Sequence, residues 1–149
     1  MGSIGEIVFK SCMEQHDVTV QDLTDRTDMD FRLQGRFTVD VKTKDRTVLP
    51  EADYDNSIQL YNHEHQRPDY FFFISLVRDS KTDVNDPHRF THACLVGGID
   101  QAGLEEYGQV WEKGQADPRN GTKFWTSCIN VAMTDLITPK AFVNLLKES

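Results

Sequence analysis

Apolar residues recur along this chain with two periods, and these periods predict where helices and strands lie. Spacings of three and four residues predict a helix over residues 4–15. Alternation with a period of two predicts a strand over residues 18–24. A nearly continuous apolar run over residues 70–77 is typical of a central strand that is covered on both faces.

Two alternating segments, residues 29–33 and 37–41, flank a short polar stretch and predict a β-hairpin. Gly35 is able to take the left-handed conformation that a three-residue loop over residues 34–36 requires. The resulting register pairs the apolar residues of one face: Leu33 with Phe37, Phe31 with Val39, and Met29 with Val41.

The rest of the chain is predicted to continue as a mixture of helices, strands and polar loops. Helices are predicted over residues 56–66, 101–112 and 138–147, strands over 90–99 and 123–131, and loops over 45–55, 79–88 and 113–120. This order predicts one α/β (α+β) domain over residues 1–149, in which helices flank a mixed central sheet.

The polar face of the hairpin places two acidic residues opposite each other. Asp30 lies across from Asp40, with Cβ atoms about 5 Å apart, and Lys42 follows on the same face one pleat further along. Like charges at that distance repel, and a hard cation with oxygen ligands relieves the repulsion. The pattern therefore predicts a divalent cation site.

Composition narrows the class of function. The net charge of −8 over 149 residues argues against a nonspecific nucleic-acid binder, which is usually basic. It leaves nucleic-acid enzymes open, because metal ions neutralise part of an acidic site. The three cysteines, Cys12, Cys94 and Cys128, lie singly in apolar runs and are predicted to be free thiols of a reducing cytosol. The sequence shows no membrane-spanning run and no signal peptide, so we expect a cytoplasmic protein with no membrane partner.

A helix carrying Gly5 and Glu6, then a strand, Asp30, and Asp40 with Lys42 two residues later, resembles the PD-(D/E)XK, or restriction-endonuclease-like, nuclease superfamily. The likeness covers roughly residues 3–77. The stretch over residues 39–43 (Val-Asp-Val-Lys-Thr) is similar to the hairpin end of Holliday-junction resolvases and related exonucleases. Two features depart from the pattern, since no proline precedes Asp30 and the second acid is aspartate instead of the commoner glutamate.

The resemblance implies a metal-dependent endonuclease or exonuclease of DNA, with RNA as the alternative substrate. Asp30 and Asp40 would hold Mg2+ or Mn2+, with the backbone carbonyl of Val41 as a further ligand. Glu6 would complete the site directly or through water, and Lys42 would assist the attacking water. The small size of the chain adds the expectation of a homodimer or a complex with another protein.

Further residues are candidates for contact with the substrate. They are Arg36, Lys44 and Arg46 around the hairpin, and Gln59 and His63 on the predicted helix over residues 56–66. The alternative for each is an ordinary solvated side chain in a loop or on an exposed helix face.

Two other interpretations of the acidic pair stay open from the sequence. In one, Asp30 and Asp40 face solvent on a surface hairpin and are paired by Arg32 and Lys42. In the other, the chain is a catalytically inactive nuclease-like module, or an inhibitor, that engages a protein partner through its acidic surface. A second literal match to the family pattern, Asp69 with Asp79, is rejected because a ten-residue extended strand separates them by about 33 Å.

Overall fold

The computed structural model describes residues 2–23, 29–50, 55–59, 67–82, 85–86, 88–116, 118 and 127–148. Helices within these residues are α1 (Gly2–Gln15), α2 (Gln101–Tyr107) and α3 (Pro139–Glu148). Strands are β1 (Val20–Asp22), β2 (Phe31–Leu33), β3 (Phe37–Arg46), β4 (Asp55–Gln59), β5 (Tyr70–Arg78), β6 (Phe90–Asp100), β7 (Gln109–Trp111) and β8 (Cys128–Ala132). The fold is α+β, as the sequence predicts.

The strands form two sheets. The larger sheet has the order β1-β2-β3-β5-β6, and it is mixed because β3 and β5 run parallel while its other neighbours are antiparallel. The smaller sheet, with the order β4-β8-β7, is antiparallel. Strand β5 is buried from Tyr70 to Val77, which confirms the prediction of a central strand covered on both faces.

The two faces of the larger sheet carry separate hydrophobic clusters. Helices α1 and α3 cover one face, where the Phe72 ring of β5 packs against Phe9 and Phe142 with centroid separations of 4.9 and 5.1 Å. The smaller sheet and α2 cover the other face, where Ile58 and Leu104 pack with Phe71 and other buried residues of β5. Helices therefore lie on both faces of the larger sheet, and the smaller sheet covers one of these faces together with α2.

The hairpin forms with the predicted register. Phe31 pairs with Val39 and Leu33 with Phe37. The turn closes with a hydrogen bond from the Arg36 amide to the Leu33 carbonyl at 3.0 Å. Gly35 takes the predicted left-handed conformation, with a φ of 67°.

Two helix predictions are wrong in part, both because pairing with β8 decides the conformation. Residues 56–59 of the predicted helix over 56–66 belong to strand β4 instead, and residues 60–66, including His63, lie outside the described residues. The predicted helix over 101–112 starts correctly at the Asp100 cap but ends at Tyr107, and residues 109–111 form β7. Similarly, the predicted loop over 45–55 is shorter, because β3 extends to Arg46.

The remaining strand and helix predictions hold where the structure describes them. Strand β1 lies within the predicted range 18–24, and β6 extends the predicted range 90–99 by one residue. The final helix begins as expected, with the Thr138 hydroxyl accepting the Ala141 amide at 3.3 Å. No helix among the described residues is long and apolar enough to cross a membrane.

Candidate functional site

Asp30 lies immediately before β2, at the open end of the hairpin. Its backbone amide donates to the Val39 carbonyl at 3.2 Å, so it continues the pairing of β2 with β3. Its carboxylate Oδ2 accepts the backbone N–H of Val41 at 2.8 Å. The Asp30 side chain therefore lies at the edge of β3. The Val41 carbonyl, a predicted metal ligand, points to this same edge because the N–H and C=O of one strand residue share a side.

Asp40 and Lys42 project from the face of β3 opposite α1 and α3. The parallel register pairs Asp40 with Phe71 and Lys42 with Phe73 of β5. Asp40 is only 3% exposed, and Lys42 Nζ lies 2.6 Å from its Oδ2. The contact is an ion pair between opposite charges, and the Asp40 Oδ2 atom that makes it is buried. Lys42 Nζ also lies 5.9 Å from the centroid of the Phe71 ring.

Glu6 reaches the same edge from α1. The Asp30 side chain lies close enough to both Glu6 and Asp40 for each of them to influence its pKa, so these three residues form one carboxylate cluster. Asp30 lies between residues from the two faces of the larger sheet. Glu6 comes from α1 on one face, and Asp40 projects from the other face. The predicted association of Glu6, Asp30, Asp40 and Lys42 is thus present in the fold.

The carboxylate cluster is short of positive charge. Burial raises the pKa of Asp40 to about 7, with Asp30 adding to the rise and Lys42 opposing it. Burial and the Glu6 contact raise the pKa of Asp30 to about 6, while the Val41 N–H opposes the rise. Both carboxyl groups are therefore harder to ionise than usual, because two adjacent carboxyl groups do not both ionise easily.

The donor chemistry fits a hard divalent cation, although the ligands are not arranged around one. Carboxylate oxygens and a backbone carbonyl are the ligands that Mg2+ and Mn2+ prefer. Among the described residues, no three or more His, Cys, Asp or Glu side chains converge as a ready-made metal site. The Lys42 ammonium occupies the position beside Asp40 Oδ2. A cation would therefore have to compete with protonation of these carboxyl groups and move Lys42 aside.

The surface-hairpin interpretation is wrong in its central point. Asp40 is buried, and Asp30 is half-buried, so the acidic pair does not face open solvent. Its expected ion pair between Asp40 and Lys42 does occur.

The second literal match to the family pattern, Asp69 with Asp79, is separated as predicted, because the two residues lie at opposite ends of β5. Asp69 is used structurally, accepting the Thr38 amide at 2.9 Å.

The candidate substrate contacts are dispersed. Arg36 lies in the hairpin turn, four residues from Asp40 and about 13 Å along the strand, so it is not beside the carboxylate cluster. Lys44 shares a face of β3 with Lys42 and is exposed as a residue, although burial and the neighbouring Arg46 lower the pKa of its ammonium group. Arg46 holds the two sheets together, donating to Ser75 Oγ and to the Asp55 carbonyl, both at 3.0 Å. Gln59 belongs to β4, and His63 lies outside the described residues.

Two parts of the site were not identified from the sequence. The first is Phe71, which is paired with Asp40 and helps to bury it. The second is Thr43, which approaches Gly5 so closely that a Cβ on Gly5 would overlap Thr43 Oγ1. The sequence drew attention to Gly5 only because it precedes Glu6. Its contact with Thr43 of β3 depends on how α1 packs, which the sequence does not show.

Gly5→Ala is expected to destabilise the protein by about 1–3 kcal/mol, because the added methyl group forces α1 away from β3. The gain in helix propensity, about 1 kcal/mol, offsets only part of this. Denaturant unfolding measures the change. Thr43→Ala removes the overlapping hydroxyl, so the double variant should be more stable than the sum of the single changes predicts. Strict additivity would contradict the proposed contact.

Without metal, the protein is expected to become more stable as the pH falls from about 8 to about 5. The folded-state pKa values, about 7 for Asp40 and about 6 for Asp30, lie above the usual value of about 3.9 in an unfolded chain. The folded state therefore binds more protons in this range, and stability decreases as the pH rises through these values. Urea unfolding in EDTA checks the trend. The double variant Asp30→Asn/Asp40→Asn should respond less to pH, and equal responses would contradict the assignment.

A comparison with protein-family models, with curated proteins and with solved structures finds no match for this chain. Its chemistry is therefore inferred from the carboxylate cluster and Lys42.

Proposed function

We propose that this protein is a magnesium-dependent nuclease that hydrolyses phosphodiester bonds in DNA. The observation that carries the proposal is the contact between the Asp30 and Asp40 carboxyl groups, with Glu6 on one side and Lys42 on the other. Such crowding of acids is unfavourable without a cation. The resemblance of the hairpin to that of PD-(D/E)XK nucleases supports the same conclusion.

Each residue of the cluster has a distinct role in the proposed reaction. Asp30 and Asp40 would hold the cation together with the Val41 carbonyl, and Glu6 would hold it directly or through water. When bound, Mg2+ supplies an activated water and stabilises negative charge on the phosphoryl oxygens. Lys42 orients the attacking water and offsets phosphate charge once its contact with Asp40 is released.

The backbone of the substrate needs positive charge beyond the cluster, because phosphate contacts dominate the affinity for nucleic acids. Lys44 is the best placed of the candidates, two residues beyond Lys42 on the same face and about 7 Å further along β3. Arg46 is less suited to this role, since its guanidinium already binds Ser75 and Asp55. Lys44 would therefore contribute to substrate binding and not to the chemical step.

One observation favours the non-catalytic alternative. Lys42 forms an ion pair with Asp40, so the protein itself supplies one positive charge to the cluster. In that case the chain would be a nuclease-like binding module that engages a protein through its acidic surface. The two functions differ in whether a divalent cation binds at Asp30 and Asp40.

Cleavage assays test the proposal directly. Labelled single-stranded, duplex and branched DNA, and RNA of the same sequence, are incubated with the protein in Mg2+, Mn2+ or EDTA. We expect metal-dependent cleavage of at least one DNA form, and its loss in Asp30→Asn. The matched control is Asp135→Asn, which removes the same charge from an exposed position after β8.

Calorimetric titration with Mn2+ separates the two functions. Binding to the wild type and to Asp135→Asn, but not to Asp30→Asn, supports the nuclease. A folded wild type that neither binds Mn2+ nor cleaves any substrate would reject the nuclease in favour of the binding module. Cleavage confined to RNA would retain the metal-dependent mechanism and replace the substrate.

A further inference from the structure

A cavity lies between α1 and α3, at the opposite end of α1 from Glu6. Its volume is about 400 Å³. It is lined by Cys12, Met13, His16, Pro139, Lys140, Val143, Asn144 and Lys147. His16 follows Glu6 by ten residues, which separates the cavity from the carboxylate cluster by about 15 Å. The cavity is therefore a separate feature of the molecule.

The cavity has an apolar floor. Met13 is fully buried, Val143 is 8% exposed, and Cys12 is half-buried. Burial raises the pKa of the Cys12 thiol, so this side chain lines the cavity as an uncharged group. The volume lies within the range of small-ligand pockets, which are mostly apolar and carry a few polar groups that fix orientation.

The rim of the cavity is basic. His16, Lys140 and Lys147 are exposed, and no carboxylate is among the described lining residues. Lys140 and Lys147 place two positive charges at this rim, in a chain whose net charge is −8. The flexible lysine stems allow each ammonium group to reach over the apolar floor.

We propose that this cavity binds a small amphiphilic anion, namely an aliphatic carboxylate. The hydrocarbon chain lies on Cys12, Pro139 and Val143, and the carboxylate binds Lys140 and Lys147 at the rim. Burial of the chain provides the driving force, and the two lysines select for negative charge. The inference does not depend on the proposed nuclease activity, because it uses a different end of the fold.

Cys12 serves as a reporter of occupancy, since it lines the cavity while Cys94 and Cys128 do not. The wild-type protein is titrated with decanoate, and carbamidomethylation by iodoacetamide is followed at each cysteine by peptide mass spectrometry. We expect decanoate to slow labelling of Cys12 saturably and to leave Cys94 unchanged. Decyltrimethylammonium, which has the same chain length and the opposite charge, should not protect Cys12.

Two matched double variants test the role of the rim. Lys140→Gln/Lys147→Gln should weaken decanoate binding about tenfold, the result of losing two partly exposed charge contacts. Lys81→Gln/Lys113→Gln removes the same charge from exposed positions elsewhere and should bind like the wild type. All four lysines are exposed, so both variants are expected to fold.

The proposal would be overturned by absence of saturable Cys12 protection, by equal protection by the cationic amphiphile, or by equal decanoate affinity in the two double variants. Protection by a polyglutamate peptide but not by decanoate would also overturn it, and would assign the surface to an acidic protein segment.

Discussion

Asp40→Asn is expected to stabilise the metal-free protein at pH 8 and to abolish its stabilisation by Mg2+. The variant removes a buried carboxylate whose ionised form is disfavoured by burial and by Asp30, which raise its pKa to about 7. The gain in the free energy of unfolding should be about 1–3 kcal/mol. The amide oxygen of the new side chain still accepts a hydrogen bond from Lys42, so Lys42 keeps a partner in the variant.

The wild type and Asp40→Asn should differ most in how strongly Mg2+ stabilises each protein against unfolding. A cation that binds only the folded state adds about 2.7 kcal/mol at one hundred times its Kd. For a chain of 149 residues this corresponds to a rise in Tm of about 5–10 °C. Thermal unfolding of the wild type in EDTA and in Mg2+ measures it. Asp135→Asn should respond like the wild type, and an equal response of Asp40→Asn would show that Asp40 is not a ligand.

Lys42→Ala is expected to reduce cleavage by two or more orders of magnitude, the usual effect of losing one electrostatic stabiliser of a transition state. The lysine side chain is 21% exposed, and Asp40 can take up a proton when its partner is removed. Stability near neutral pH should therefore change by no more than about 1 kcal/mol. Mn2+ binding should persist or become tighter, because a competing positive charge is gone.

Two controls separate the chemical role of Lys42 from general effects of charge. Lys81→Ala, in the exposed loop after β5, should cleave like the wild type. Lys44→Ala should raise KM more than it lowers kcat, if Lys44 binds the substrate backbone. A Lys42→Ala protein as active as the wild type would refute the role of Lys42 and leave the metal ligands in place.

The hairpin was predictable because its structure is decided locally. The alternation of apolar and polar residues determines which side chains share a face, and Gly35 determines the position of the turn. Together they determine the register of β2 with β3. The same register placed Asp30 near Asp40 and Lys42 beside it. These residues lie within thirteen positions of one another, and no distant part of the chain is needed to bring them together.

Strand β4 was not predictable, because its partner is distant in sequence. Ser57 Oγ donates to Asn130 Oδ1 at 2.6 Å across 73 residues. Apolar positions in this segment are compatible with a helical pattern, and pairing with β8 overrides that local preference. The end of α2 at Tyr107 has the same cause, since β7 also pairs with β8.

The sequence by itself determined the acidic pair, its lysine and the turn that brings them together. Only the tertiary structure decided that Asp40 is buried beside Phe71, and that α1 approaches β3 closely enough for Glu6 to contact Asp30. The raised pKa values of Asp30 and Asp40 arise from this burial and from Glu6. Alternation within a hairpin is a local property of the backbone, whereas desolvation depends on surfaces supplied by distant segments of the chain.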